Sequence, residues 1–200
     1  MARRIWDGRS RIEHIVAGFE PFGGRKRNRS WEAVRRLPDR PGLERACLPV
    51  DFAQLSPEID ALLAGGPRAL LLVGEVTGRL FRVEQVALNV ADSRAPDNAS
   101  RAPEREPLVE GAPLALWAPW NARVIAARIE SGGNTAVGSW HAGTFACNAA
   151  LFLGLKRAQG GTAVGFLHVP RHRWPRGPRL GRVVRAIEVA LEALDEYFDI

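Results

Sequence analysis

The chain has 200 residues, of which 46% are hydrophobic and 25% are charged, a balance typical of a globular domain that buries a sizeable core. We therefore expect one domain over residues 1–200. No apolar run reaches the roughly 18 residues of a membrane helix, and the amino terminus lacks the apolar stretch of a signal peptide. We expect no membrane partner and a cytoplasmic location. The two cysteines, Cys47 and Cys147, are too few for a disulfide framework and suit a reducing compartment.

The net charge is +6, and of the 28 basic residues only Lys26 and Lys156 are lysines. Basic residues cluster at 25–29 and 171–182, and such a patch is a candidate phosphate-binding surface. Because the other arginines are spread along the chain among acidic residues, we favour a solvated basic surface and expect no nucleic-acid partner. A non-catalytic, RNA-binding module on the same scaffold stays open as an alternative.

Hydrophobic periodicity predicts strands and helices in alternation. Strands are predicted at 11–18, 46–50, 68–74, 80–90, 134–139 and 163–169. Helices are predicted at 30–37, 56–64, 119–130, 145–158 and 179–198. Ser30 is the expected N-cap of the first helix, and Pro57 is expected in the first turn of the second, after Ser56.

This alternation predicts an α/β fold, a three-layer α/β/α sandwich around a mostly parallel twisted sheet. In such sheets ligands bind beyond the carboxyl ends of the strands, so catalytic groups are sought in the segments that follow strands. The Pro-rich segment 93–118 is longer than most connections. It is therefore either functional or locally structured.

Cys147 follows a predicted strand and the turn at Gly143, close to the start of a predicted helix. A free cysteine is most often a small buried hydrophobe. At a helix start, however, the free N–H groups and the helix dipole favour a thiolate and offer donors to a developing oxyanion. Cys147 is thus the candidate nucleophile, while Cys47, inside a short strand, is interpreted as packing.

A thiol nucleophile needs a base within hydrogen-bond reach, and the chain has four histidines. His14 lies inside the first strand, and His172 lies in an Arg- and Pro-rich loop. His141 is close to the cysteine in sequence, but a separation of six residues across a turn does not ensure that the side chains meet. His168, near the carboxyl end of an apolar strand, is the preferred base, although a histidine in such a strand is more often a structural core residue.

Glu84 is the candidate partner of that base. In a continuous strand it would share a face with Val86, Leu88 and Val90, and a carboxylate on an apolar face needs a partner. A histidine would serve. An ion pair with Arg82 or Arg94 is the structural alternative.

We expect neither a metal nor a cofactor. His168 and His172 have the spacing of helical metal ligands, but Pro170 lies between them and would disrupt a helix. The glycines of "GFEPFGGRKRN" match neither the dinucleotide-binding nor the Walker pattern.

Five segments, in this order, resemble blocks of the pyroglutamyl peptidase (pyrrolidone-carboxylate peptidase) family. They are "GFEPFGG" at 18–24, "LPVDF" at 48–52, "VEQVALNVADSRAPDN" at 83–98, "HAGTFACN" at 141–148 and "GFLHVP" at 165–170. The resemblance implies a cytoplasmic cysteine exopeptidase that removes amino-terminal pyroglutamate from peptides, and such enzymes often form homo-oligomers.

The resemblance also assigns roles to residues. It implies Cys147 as nucleophile, His168 as base and Glu84 as the carboxylate that orients the base. It further implies that Arg94 lies near the oxyanion and that Phe19 and Phe22 enclose the neutral lactam ring of the substrate.

Several positions depart from the family pattern. Arg82 stands where Ser or Thr is usual, and Gln85 replaces a usual Lys or Arg. Trp140 and His141 replace smaller polar residues, and Ala146 replaces a larger aliphatic one. These changes leave the implied catalytic groups in place but affect their surroundings. A related cysteine amidohydrolase with altered acyl specificity is therefore a second alternative.

Overall fold

The computed structural model describes residues 3–5, 12–158, 161–172, 175 and 177–196. In this part of the chain the strands are β1 (Arg3–Ile5), β2 (His14–Phe19), β3 (Leu43–Leu48), β4 (Ala69–Val76), β5 (Phe81–Glu84), β6 (Val86–Leu88), β7 (Ala115–Trp117), β8 (Ala136–Ser139) and β9 (Ala163–Pro170). The helices are α1 (Arg29–Val34), α2 (Phe52–Leu63), α3 (Ala122–Ser131), α4 (Ala146–Ala158) and α5 (Leu180–Asp195). No helix within these ranges is long and apolar enough to cross a bilayer.

Seven strands form the central sheet in the order β1-β3-β2-β4-β9-β5-β8. Strands β3, β2, β4 and β9 are mutually parallel, while β1 and β5 join the parallel set through antiparallel pairings. Strand β8 runs parallel to β5 at the sheet edge. The predicted α/β class with a mostly parallel sheet is confirmed.

Helices cover both faces of this sheet. Apolar residues of α1, α3 and α5 form one core with one face, and those of α2 and α4 form a second core with the other. Successive residues of a strand point to opposite faces, so Phe166 of β9 enters the α2/α4 core and Leu167 enters the other. Burial on both faces explains why these strands are almost continuously apolar.

The starts of two helices differ from the prediction. Asn28, not Ser30, caps α1, and the Ser30 hydroxyl instead accepts the Phe19 N–H and so ties the helix to the end of β2. Helix α2 begins earlier than predicted because Asp51 accepts the N–H groups of Ala53 and Gln54. Pro57 therefore lies inside the helix rather than in its first turn.

The predicted single strand over 80–90 is also wrong, because it breaks at Gln85. Residues after the break form β6, which pairs with β7 in a separate two-stranded antiparallel sheet. The Gln85 side chain donates to the carbonyls of Ala118 and Trp120 and accepts the Ala122 N–H, which holds the following chain at the break. Strand β7 and a bridge between Ala91 and Glu106 show that the long segment is locally structured.

Candidate active site

A buried histidine–glutamate pair lies at the carboxyl end of β9. The His168 Nδ1 and Glu84 Oε1 atoms are 2.7 Å apart, with His168 6% exposed and Glu84 fully buried. Strand β5 is antiparallel to β9, and Glu84 lies opposite Phe166, two residues before His168. The carboxylate therefore lies farther from the carboxyl end of β9 than the imidazole does. A carboxylate only accepts, so Nδ1 carries the proton and Nε2 is left as the acceptor.

Glu84 is therefore paired with a histidine, as predicted, although part of the argument from the sequence was wrong. After the break at Gln85, Glu84 shares no continuous strand face with Val86, Leu88 and Val90. Within the described part of the chain, Glu84 forms no ion pair with Arg82 or Arg94, the alternative partners considered from the sequence.

Cys147 is the second residue of α4, and its sulfur points at the sheet. A Cβ atom placed on Gly74 of β4 would lie 2.7 Å from the Cys147 Sγ and 2.8 Å from the Phe166 ring. Gly74 is directly opposite His168 in the β4–β9 pairing, and the ring centroids of Phe166 and His168 are 4.7 Å apart. The thiol thus sits over the strand next to the base, on the same face of the sheet.

Burial, followed by the negative charge of Glu84, raises the pKa of Cys147 from an ordinary 9.0 to about 12. The favourable effect of a helix start on a charge is about 0.3–1 kcal/mol, less than one pKa unit. That effect is too small to reverse the shift. Burial thus opposes ionisation of the resting thiol, whereas the helix start favours it.

The start of α4 is anchored to the segment that follows β6. Asn148, fully buried, accepts the Leu88 N–H and donates to the carbonyls of Leu88 and Val90. Thr144 donates its hydroxyl to the Asp92 carbonyl, and the Asp92 N–H donates to the Thr144 carbonyl. These bonds fix the position of the residue between them, Cys147.

Sequence reasoning missed two supporting residues. One is Asn148, for which the only sequence signal was its place directly after the candidate nucleophile. The other is Trp120, whose indole N–H donates to the Glu84 carbonyl at 2.9 Å and whose ring fills the space left by Gly165. Trp120 hydrogen-bonds to the backbone of a catalytic candidate, and Asn148, the neighbour of another, hydrogen-bonds to the backbone of a separate segment. Each thereby holds a catalytic candidate in place.

The remaining histidines have local roles. His141 is exposed, and its Nδ1 accepts the Gly143 N–H within its own turn. His14 lies 3.1 Å from the carboxylate of Asp195 and so links β2 to α5. The backbone carbonyl of His172 accepts from Arg29.

The predicted lactam-binding aromatics differ in exposure. Phe22 is half-buried and packs against the half-buried Phe145 just before α4, with ring centroids 5.8 Å apart. Phe19 is only 2% exposed and packs on Phe166. Arg94 is exposed, two residues beyond the Asp92 that bonds to the turn before α4.

The chain matches one protein family over most of its length. A sequence model of the family described as pyroglutamyl peptidase matches residues 12–176. The pyrrolidone-carboxylate peptidase of Thermococcus kodakarensis is 40% identical over 164 residues, which cover 78% of this chain and 80% of that protein. The pyrrolidone-carboxylate peptidase of Chromobacterium violaceum is 37% identical over 194 residues, covering 89% and 90%.

The same likeness holds in three dimensions. The crystal structure of pyrrolidone carboxyl peptidase from Thermus thermophilus superposes with a TM-score of 0.84 at 36% identity, covering 90% of this chain and 99% of that one. An α/β sandwich that carries a thiol beside a buried histidine–glutamate pair defines a cysteine hydrolase. Among the cysteine hydrolases, this chain belongs to the pyroglutamyl peptidase family, and the resemblance drawn from its motifs is confirmed.

Proposed function

We propose that Cys147, His168 and Glu84 are the catalytic residues with which this chain removes pyroglutamate from the amino terminus of peptides, the activity of its family. The observation that carries the assignment is the 2.7 Å contact of His168 with Glu84, together with a thiol packed against Gly74, the residue opposite that histidine. No other histidine of the described chain has both a buried carboxylate partner and a cysteine sulfur over the residue opposite it on the adjacent strand.

In the acylation step the base is proposed to act during attack rather than before it, because burial raises the pKa of the Cys147 thiol. His168 Nε2 takes the thiol proton as Cys147 Sγ forms a bond to the carbonyl carbon that follows the lactam ring. Glu84 stabilises the imidazolium that forms. The negative oxygen faces the first N–H groups of α4, which have no acceptor inside the helix.

Collapse of this intermediate breaks the C–N bond. The imidazolium of His168 gives its proton to the departing amine, and the pyroglutamyl group is left as a thioester on Cys147. In the second half, His168 takes a proton from water, which attacks the thioester. The proton then returns to the sulfur as the C–S bond breaks, which releases pyroglutamate and restores the thiol.

The lactam ring is small and uncharged, so an aromatic wall suits it. We assign that wall to Phe22, which is half-buried beside the start of α4, and to Phe19, which acts from behind through Phe166. Arg94 is proposed to act near the oxyanion. Its loop is tied to the turn that precedes Cys147.

Turnover of a fluorogenic pyroglutamyl amide tests the assignment. We expect turnover by the wild type, none above background for Cys147→Ala, and retained turnover for the matched control Cys47→Ala. A folded wild type that is inactive on this substrate, or an active Cys147→Ala variant, would overturn the proposal. Activity on another blocked amino-terminal amide but not on the pyroglutamyl one would favour the altered acyl specificity considered above.

We also propose a cytoplasmic enzyme that assembles as a homo-oligomer. A thiol nucleophile must stay reduced, and both cysteines are free in the structure. Light scattering coupled to gel filtration would measure the assembly, and a monomeric mass at the working concentration would contradict it.

A further inference from the structure

We propose that Arg82 determines specificity on the leaving-group side of the site, by binding a carboxylate carried by the first residue of the departing peptide. This inference rests on the proposed function. It adds to the proposed function a preference among leaving groups, which the catalytic residues alone do not create.

The register of three strands places Arg82 beside the base. Gly74 of β4 lies opposite His168 of β9, and His168 lies opposite Arg82 of β5. Arg82 is two residues before Glu84, so both project from the same face as the imidazole. Cβ atoms of directly opposite residues are about 4.5–5.5 Å apart. The row therefore runs from the thiol over Gly74, through the base, to the guanidinium side chain.

The same row orients the substrate. The lactam wall belongs to Phe22 and Phe19, at and just beyond the end of β2, and β2 borders β4 on the side away from β9. The acyl group therefore lies on the β2 side of the sulfur. The departing amine must reach His168 on the β9 side, and the next strand beyond is β5. A substituent on the departing residue extends toward Arg82.

Arg82 is available for such a ligand. It is half-buried, yet its guanidinium forms no hydrogen bond or ion pair with any residue in the described ranges. The nearest carboxylate on its strand, Glu84, bonds to His168 through Oε1, and its buried Oε2 accepts no hydrogen bond from Arg82. Its other cross-strand neighbour, Val137 of β8, has no polar group. A guanidinium without a partner gains from a carboxylate, which it binds through paired N–H donors.

Other arginines show how unusual this is in the same molecule. Half-buried Arg157 is paired with Asp60, and Arg25 is paired with Glu75. We infer that Arg82 selects among leaving groups rather than among acyl groups.

Two matched pairs of substrates test the proposal and separate the two sources of a carboxylate. The first pair is pyroglutamyl-alanine and its carboxamide, which differ in the α-carboxylate. The second is pyroglutamyl-aspartyl amide and pyroglutamyl-asparaginyl amide, which differ in the side chain. The measured quantity is the ratio of kcat/KM within each pair. One charge-assisted hydrogen bond predicts a ratio of about ten for the wild type in at least one pair.

Arg82→Gln should bring that ratio to about one, and Arg82→Lys, which keeps the charge but not the paired donors, should give an intermediate ratio. The control is Arg79→Gln, which removes an exposed arginine from the same segment and should keep the wild-type ratio. A wild-type ratio near one in both pairs, or a ratio that survives Arg82→Gln, overturns the inference. Failure of the proposed function is distinct, because it would leave every pyroglutamyl substrate uncleaved by the wild type.

Discussion

At the scale of single residues, the geometry of the site depends on a glycine, Gly74, which leaves room for neighbouring side chains. Gly74 has no side chain at the point where the Cys147 sulfur and the Phe166 ring approach β4. Any Cβ there would meet the sulfur at 2.7 Å, well inside van der Waals contact. The sequence shows a glycine at the end of an apolar strand, but nothing in a single sequence says which atom needs the space.

We predict that Gly74→Ala impairs catalysis far more than folding. The methyl group must displace the sulfur or the Phe166 ring, and a shift of about 1 Å in a reacting group costs on the order of 100-fold in rate. The measurements are kcat/KM on the fluorogenic amide and the free energy of unfolding. The control is Gly154→Ala, where the new Cβ would meet the Val164 side chain at 3.0 Å and the Leu70 and Leu72 side chains at 3.9 and 4.0 Å.

Gly154→Ala should keep near-wild-type kcat/KM. Equal losses of activity in the two variants would show that the effect is general to the fold. Wild-type activity of Gly74→Ala would show that the sulfur position does not depend on this glycine.

Among the catalytic candidates, Cys147, His168 and Glu84 were all named from the sequence. Their types and the surrounding motifs were enough to select them. What the sequence could not supply was the protonation state of the thiol, because burial depends on atoms from β4, β9 and α4 together. The helix start favours a thiolate, and burial opposes it.

At the scale of elements, the position of α4 matters more than its helical character. Its first turn is joined to the segment after β6 through the amide of Asn148, which makes hydrogen bonds with the Leu88 N–H and with the carbonyls of Leu88 and Val90. Periodicity predicted this helix and β9 well. It failed at Gln85, where the chain leaves one sheet and continues as a strand in another. Hydrophobic periodicity does not show such a break, because the residues on both sides of it have the pattern of a strand.

We predict that Asn148→Ala lowers the free energy of unfolding by about 2–4 kcal/mol, because it leaves buried backbone groups without partners. Activity should fall as well, since the helix that carries Cys147 loses its anchor. Denaturant unfolding provides the measurement. Gln54→Ala on the exposed side of α2 is the control and should change stability by less than about 0.5 kcal/mol. A change of that small size in Asn148→Ala would contradict the anchoring role.

At the scale of the whole molecule, Cys47 is buried and Cys147 half-buried, and both thiols lie where ionisation is unfavourable. Burial raises the pKa of Cys47 from 9.0 to about 12, with Glu20 adding to the rise and Arg3 opposing it. Cys147 is shifted to a similar value. The unfolded chain therefore releases thiol protons from about pH 9, while the folded chain holds them until about pH 12.

Raised pKa values in the folded state stabilise it below the unfolded pKa, and the stabilisation is lost as the pH rises toward the folded pKa. We predict that the free energy of unfolding falls between pH 9 and 12, through one cooperative transition if residues 1–200 are a single domain, as we expect. Cys47→Ala removes one of the two groups and should give a shallower fall over the same window. Parallel curves for the two proteins, measured by denaturant unfolding at each pH, would show that Cys47 ionises equally in both states.

By itself the sequence determined the α/β class and most strands and helices, and it supplied the candidate thiol, base and carboxylate, because these depend on local periodicity and on short motifs. Tertiary structure alone decided that β5 runs antiparallel to β9, which brings Glu84 to Nδ1 of His168 and Arg82 to its side. It also decided that the sulfur rests on Gly74, where burial raises the pKa of the thiol. The physical reason is that strand direction, register and desolvation arise from contacts between segments far apart in the chain, which no local pattern encodes.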